Sequence, residues 1–386
     1  MKKYLALVLM ALMLLGNVAA LAEETEPSTL VQTIVSAVPL NTWKTNPVAN
    51  PALAFSANSS ITDEQLLMYK HMGYTGVELS FSDDELEDFD AMKAIVERLR
   101  NFENGGFEIL LATNGKLQKN TDIHLAYETR DAEIERMKQF IINLNALDID
   151  LCAIAWQPFG ISRSGDTPKM VHGAKYSASD LSVILDFPYA GDRLYTREEM
   201  WETFEYFIDA ILPTCEEYGV AMALHPNDPP VPYLEGVGSL IISADDYRRA
   251  FEIANDSPYL GMKLCTGCWL EGGLLFSDDF LGDIAEFTAN GKVLNVHFRN
   301  VTAPLHPDYT GYFEECAAQE GYGDMYAIMK TLIANGFDGP IHCDHAPGSV
   351  NAELLGSRTN KATSDAWIQG LIYAARFEVA QDLYVK

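Results

Sequence analysis

Two histidines, one cysteine and an Asp-His pair stand at the ends of four apolar runs in the C-terminal half of the chain: His225, Cys265, His297 and Asp344-His345. The gaps between the four runs are 40, 32 and 47 residues (225 to 265, 265 to 297, 297 to 344). Two imidazoles, one thiolate and one carboxylate form a ligand set suited to a divalent transition metal. A single His or Cys at a strand end is more often packed or hydrogen-bonded than ligating. Four on consecutive strands at equivalent depth point to a metal centre instead.

Such residues meet only if the chain places every strand end on one rim. Short apolar runs and longer amphipathic ones alternate from Ala52 onward, and the pattern predicts eight strands: Ala52 to Phe55, Gly76 to Leu79, Phe107 to Ala112, Leu151 to Trp156, Ala221 to His225, Leu260 to Leu264, Val293 to Phe298 and Pro340 to Asp344. Helices are expected between and after them. The first is opened by Thr62 with Gln65 three residues on, a capping-box spacing; others run over Arg130 to Leu147, Arg197 to Tyr218 and Thr363 to Phe377. Eight strand-helix units in about 330 residues predict a (β/α)8 TIM barrel with a long insertion after strand four, Gln157 to Leu194. A doubly wound sheet is the alternative, but no Gly-x-Gly-x-x-Gly follows the first strand. In a barrel the ends of the strands ring one mouth, which is where active sites lie.

The four motifs His225-Pro226-Asn227-Asp228-Pro229-Pro230, Leu264-Cys265-Thr266-Gly267, His297-Phe298-Arg299-Asn300-Val301 and Asp344-His345 resemble those of the mannonate dehydratase family, in the same order and with similar spacing. Phe313 to Met325 followed by Gly336 to Ile341 is similar to the family's rhythm before its last strand. The resemblance implies a xylose-isomerase-like barrel that binds Mn2+ or Fe2+, with Zn2+ as a further candidate. It implies His225, Cys265, His297 and Asp344 as metal ligands and His345 as the catalytic proton-transfer residue. The implied reaction is loss of water from D-mannonate to give 2-keto-3-deoxy-gluconate. Arg299 follows His297 by two along the strand, so it shares the inward face and is expected to hold the substrate carboxylate. The alternative for Arg299 is a structural ion pair inside an acidic barrel. Asn300 beside it, and Arg163, His172 and Lys175 in the insertion, complete the expected substrate contacts.

The resemblance has gaps. Where the family continues to Gly-Tyr-Gly-x-Tyr-Asp, this chain reads Asn360-Lys361-Ala362-Thr363-Ser364-Asp365, without the tyrosine. The insertion also departs from the family's Trp-x-Arg-Thr segment. Sibling chemistries stay open on this reading: a sugar isomerase or epimerase, or a non-catalytic sugar-acid-binding protein.

Lys2 and Lys3 precede an apolar run from Tyr4 to Leu15 and a small-residue stretch ending at Ala22, the form of a secretory signal peptide over residues 1–22. Residues 23–50, rich in Thr, Ser, Pro and Asn, read as a linker to a single barrel domain over 51–386. The expectation is an exported protein, periplasmic or extracellular, with no transmembrane span after signal removal; an uncleaved membrane anchor is the alternative. Six cysteines in an exported chain would ordinarily suggest disulfides. Here Cys152 and Cys215 read as buried small hydrophobes, and Cys265-x-x-Cys268 as a redox couple, a zinc half-site or a coincidence. With 55 acidic against 27 basic residues, the net charge of −28 repels phosphate backbones, so nucleic acid is not an expected partner. A small sugar acid is, and self-association into a homo-oligomer stays open. An anionic substrate in this field requires a local cationic site.

Overall fold

Strand β6 (Leu260–Cys265) shows why these segments form a barrel: all six residues are buried, the pattern of a strand covered on both faces. In the computed structural model the eight predicted runs pair in parallel and close on themselves. The strands are β1 (Ala52–Ala57), β2 (Gly76–Phe81), β3 (Glu108–Asn114), β4 (Leu151–Ala155), β5 (Ala221–His225), β6, β7 (Val293–His297) and β8 (Pro340–His342). Their order around the barrel is β1-β8-β7-β6-β5-β4-β3-β2. The structure describes residues 48–385, apart from 104, 167–173, 346–347 and 350–356. The expected signal peptide and nearly all of the linker lie outside the described residues, as does His172.

Among the described residues a long helix follows each strand, besides shorter ones: α1 (Asp63–His71), α2 (Phe89–Arg100), α3 (Arg130–Ala146), α4 (Arg197–Tyr218), α5 (Ala244–Ile253), α6 (Phe280–Ala289), α7 (Met325–Ala334) and α8 (Ser357–Val385). The capping box read from the sequence is present at α1, where the Thr62 hydroxyl accepts from the Gln65 N–H and the Gln65 side chain accepts from the Thr62 N–H. A second one opens α4 with Thr196 and Glu199, and Gly219 ends that helix at φ 69°, where a residue with a Cβ would be strained. Ala49–Ala375 form one compact unit; among the described residues, the second unit consists of Val48 and the last turns of α8.

Register sets which side chains stand side by side. Lys263 pairs with Asn295 and Cys265 with His297 across β6 and β7; His297 pairs with His342 across β7 and β8, and Ala155 with His225 across β4 and β5. Because alternate residues share a face, Lys263 and Asn295 form a layer directly beneath Cys265 and His297. Near the other end the core is apolar, with Leu111, Leu151, Ala153 and Ala223 packed together. Burial of such side chains is the main stabilising term, about 1.5–3 kcal/mol for each large one.

The insertion after β4 is more ordered than a bare loop. Gly165–Asp166 and Ser177–Asp180 join Tyr312–Cys316 and Asn300–Val301, both from the β7-α7 connection, in a four-stranded antiparallel sheet. This sheet brings Arg163 and Glu315 together although they are far apart in sequence. Among the described residues no helix is long and apolar enough to cross a membrane.

Candidate metal centre and active site

At the ends of β5, β6 and β7 the His225, Cys265 and His297 side chains converge, with a ligand atom from each lying within 4.8 Å of the others. His225 Nδ1 is 2.7 Å from the Pro226 carbonyl oxygen, so Nδ1 donates there and Nε2 is left for a metal. Burial pushes the Cys265 thiol up, but Cys268, the Arg299 guanidinium and the two imidazoles outweigh it and hold Cys265 well below the usual thiol range. Cys268 beside it is pushed the other way by burial and by Cys265. All six cysteines are free and buried, so Cys265 is available as a thiolate ligand and Cys268 as its thiol neighbour.

His297 is buried, and neither ring nitrogen makes a well-aligned hydrogen bond among the described residues. Its Nδ1 lies 3.2 Å from Asp344 Oδ1. Burial alone lowers the His297 pKa, yet the carboxylate of Asp344 pushes it up to about 10. Burial also raises the Asp344 carboxyl, but His297, His345 and Arg299 hold it well below the usual carboxylate range. The strand expected to reach Asp344 stops at His342, because Asp344 turns to φ 57° and its N–H donates to His342 Nδ1 at 3.0 Å. That turn aims the carboxylate at His297 and Arg299. The donor set is one soft thiolate, two imidazoles and one carboxylate, which suits a divalent transition metal.

Arg299 reaches the expected face but not the expected partner. Only 1% exposed, its guanidinium donates from Nε to Asp344 Oδ2 (3.1 Å), from Nη1 to Glu271 Oε1 (2.7 Å) and from Nη2 to Asp228 Oδ2 (2.8 Å), with Glu315 Oε1 at 3.3 Å. Four protein carboxylates surround it, which is the structural ion-pair alternative. Arg163 likewise forks onto Asp228 and reaches Glu315. Asn300 is buried and pins a loop, donating to the Ala318 and Gly323 carbonyls and accepting from the Gly323 N–H. Lys175 is exposed, in a short strand whose residues pair with Gly348–Ser349.

His345 sits at the rim, 36% exposed at its side chain, with Nδ1 2.7 Å from Glu315 Oε1 and Nε2 3.6 Å from Asp344 Oδ1. Asp344 first, and Glu315 with it, raise the His345 pKa against burial, which favours the imidazolium. Sequence reasoning missed Glu271, Glu315 and Asp228, the acidic frame of this network. Asp228 lay inside a quoted motif and follows His225 by three; Glu271 and Glu315 had no spacing signal. Lys119 and Lys361 were missed as well. Lys119 is half-buried within the fields of Asp228, Asp344 and Cys268. Lys361 lines a cavity of about 290 Å³ with Ser56, Ser80, His342 and Asp365, next to the C-terminal ends of β1, β2 and β8. A larger cavity of about 760 Å³, lined by Glu108, Leu151, Ala221 and Pro340, opens at the opposite ends of the strands. That end of a barrel carries stability, and none of the convergent side chains is there.

Fold and site together define a TIM-barrel enzyme. The family model described as D-mannonate dehydratase (UxuA) matches residues 190–379. A mannonate dehydratase of Streptococcus suis is 30% identical over 284 residues, 66% of this chain and 74% of that protein; one of Lactococcus lactis subsp. lactis is 27% identical over 306 residues, 71% and 82%. The crystal structure of mannonate dehydratase from Streptococcus suis serotype2 superposes with a TM-score of 0.72 at 25% identity, covering 85% of this chain and 95% of that one. The chain belongs to the mannonate dehydratase family, a family of metal-dependent hydro-lyases. An L-ribulose 3-epimerase structure, with a TM-score of 0.52 and 16% identity, shares the barrel alone.

Proposed function

We propose that the protein dehydrates D-mannonate to 2-keto-3-deoxy-gluconate at a centre built from His225, Cys265, His297 and Asp344, using Mn2+ or Fe2+. The observation that carries this reading is the convergence of two imidazoles and a thiolate from three adjacent strands, with a carboxylate 3.2 Å from one of the rings. When bound, the metal supplies positive charge that stabilises the anion formed as a proton leaves the carbon next to the carboxylate.

The chain's own groups then orient the substrate and move protons. His345, kept as an imidazolium by Asp344 and Glu315, donates to the departing C3 hydroxyl, and Glu315 fixes the ring by accepting from Nδ1. With Arg299 and Arg163 committed to protein carboxylates, the substrate carboxylate is met by Lys119 or Lys361. Lys361 is also the cationic side chain that the tyrosine-free stretch Asn360 to Asp365 presents to the cavity, beside Asp365. These lysines supply the local cationic site that a chain of net charge −28 needs.

The export reading rests on the sequence of residues 1–22, and the choice between Mn2+ and Fe2+ on the family resemblance. A panel of aldonates incubated with metal-loaded protein tests the function: 2-keto-3-deoxy product from D-mannonate supports it, and tight binding without product favours a sugar-acid-binding role.

A further inference from the structure

Beneath the metal centre the barrel interior holds a charged pair. Glu78 on β2 and Lys263 on β6 are hydrogen-bonded inside the barrel, at 9% and 1% exposure. Burying two such charges adds little stability by itself and often less than an apolar pair of the same volume. Lys263 engages only Glu78 Oε1; Oε2 has no hydrogen-bond partner among the described residues. Two ring nitrogens face that oxygen, His297 Nε2 at 3.8 Å and His342 Nδ1 at 3.9 Å.

The two rings are not equivalent. His342 Nδ1 accepts the backbone N–H of Asp344, so it bears no proton, and its Nε2 is left to bond the Ser56 hydroxyl at 2.6 Å. Among the described residues, the ring nitrogen that can carry a proton facing Glu78 Oε2 is therefore His297 Nε2. On the other edge of the same ring, Nδ1 stands 3.2 Å from Asp344 Oδ1, the spacing of two atoms that share a cation. Glu78, His297 and His342 also cluster as a metal site would, but the Glu78 carboxylate there is already paired with the Lys263 ammonium.

We infer that Glu78, held by Lys263, is the positioning residue of the metal centre: its carboxylate, facing His297 Nε2 at 3.8 Å, favours the ring proton on that nitrogen and so reserves Nδ1 for the metal beside Asp344. This rests on the proposed centre and adds to it a carboxylate-histidine-metal relay running through the barrel interior. The same element pins Asp344, since His342, the second ring over Glu78, holds the Asp344 backbone.

Two measurements test it. Mn2+ titration, followed by the electron paramagnetic resonance of the free ion, compares the wild-type chain with the double variant Glu78→Gln/Lys263→Met, which removes both charges and strands neither. The variant should fold and bind Mn2+ about 10- to 100-fold more weakly. On the wild-type chain loaded with Zn2+, 15N resonances of labelled histidine, assigned with His297→Gln, should show His297 ligated through Nδ1 and protonated at Nε2. Unchanged Mn2+ affinity in the folded variant, or ligation of His297 through Nε2, overturns the inference and leaves the metal centre standing. A wild-type chain that binds no metal overturns the centre, and this inference with it.

Discussion

The guanidinium of Arg299 lies directly over the bare α-carbon of Gly267: a Cβ at that position would stand 2.2 Å from Nη1 and 2.3 Å from the guanidinium carbon. The glycine in Cys265-Thr266-Gly267-Cys268 is thus the space through which Arg299 reaches Asp228, Glu271 and Asp344. Gly267→Ala should displace the guanidinium, lower stability by about 1–3 kcal/mol through overpacking and weaken metal binding with it. Urea denaturation and metal analysis of the same preparation check both effects.

Cys265 and Cys268 should separate cleanly. The Cys265 side chain faces His225 and His297, whereas Cys268 faces Arg299, with its Sγ 3.4 Å from Nη2. Cys265→Ala or His297→Ala is expected to abolish stoichiometric Mn2+, and Cys268→Ala to retain it. Elemental analysis after dialysis reads the outcome, and equal loss in all three would place Cys268 among the ligands.

His345→Gln should reduce kcat by about 10²- to 10⁴-fold, the usual weight of a positioned proton donor, with Mn2+ stoichiometry unchanged. The Glu315 contact makes a second readout available. Glu315→Gln leaves a neutral acceptor at His345 Nδ1 and removes one charge that favours the imidazolium, so the basic limb of the kcat profile should move to lower pH.

Acid stability should depend on His124. This ring is 2% exposed, packs against Trp156 with centroids 4.0 Å apart and planes tilted by 36°, and has no hydrogen-bond partner for Nδ1 among the described residues. Burial first, and Lys119 second, push its pKa down to about 3. A histidine whose folded pKa is depressed contributes stability that is fully present above the unfolded value near 6.5 and lost as pH falls toward 3. Within that window the wild-type chain should lose about 1.4 kcal/mol per pH unit from this group. His124→Phe, which keeps an aromatic ring against Trp156, should flatten that slope in denaturation midpoints measured between pH 7 and pH 4.

The barrel was legible in the sequence because its pattern is periodic, and the convergence of His225, Cys265 and His297 because each ends a predicted strand. Apolar runs alternate with capped amphipathic helices, and His225, Cys265 and His297 end their runs at matching depth. Arg299 was legible only as to its face. Spacing from His297 puts it inward, but its partners Asp228, Glu271 and Glu315 come from three separate connections with no shared pattern. The insertion after β4 could not be read as a sheet, because its short pieces gain strand character only by pairing with Tyr312–Cys316, more than a hundred residues away. The end of β8 was misread because the left-handed turn at Asp344 serves its contacts with His342 and Arg299 and carries no local signal. One signal was present and unused: Lys263 in the middle of a buried strand, two residues before Cys265.

The most direct test of the central claim is product formation by the purified, Mn2+-loaded chain given D-mannonate. The site described here predicts 2-keto-3-deoxy-gluconate, activity lost on chelation and restored by Mn2+ or Fe2+, and none from Cys265→Ala. A fully metal-loaded chain that binds D-mannonate and yields no product would contradict it.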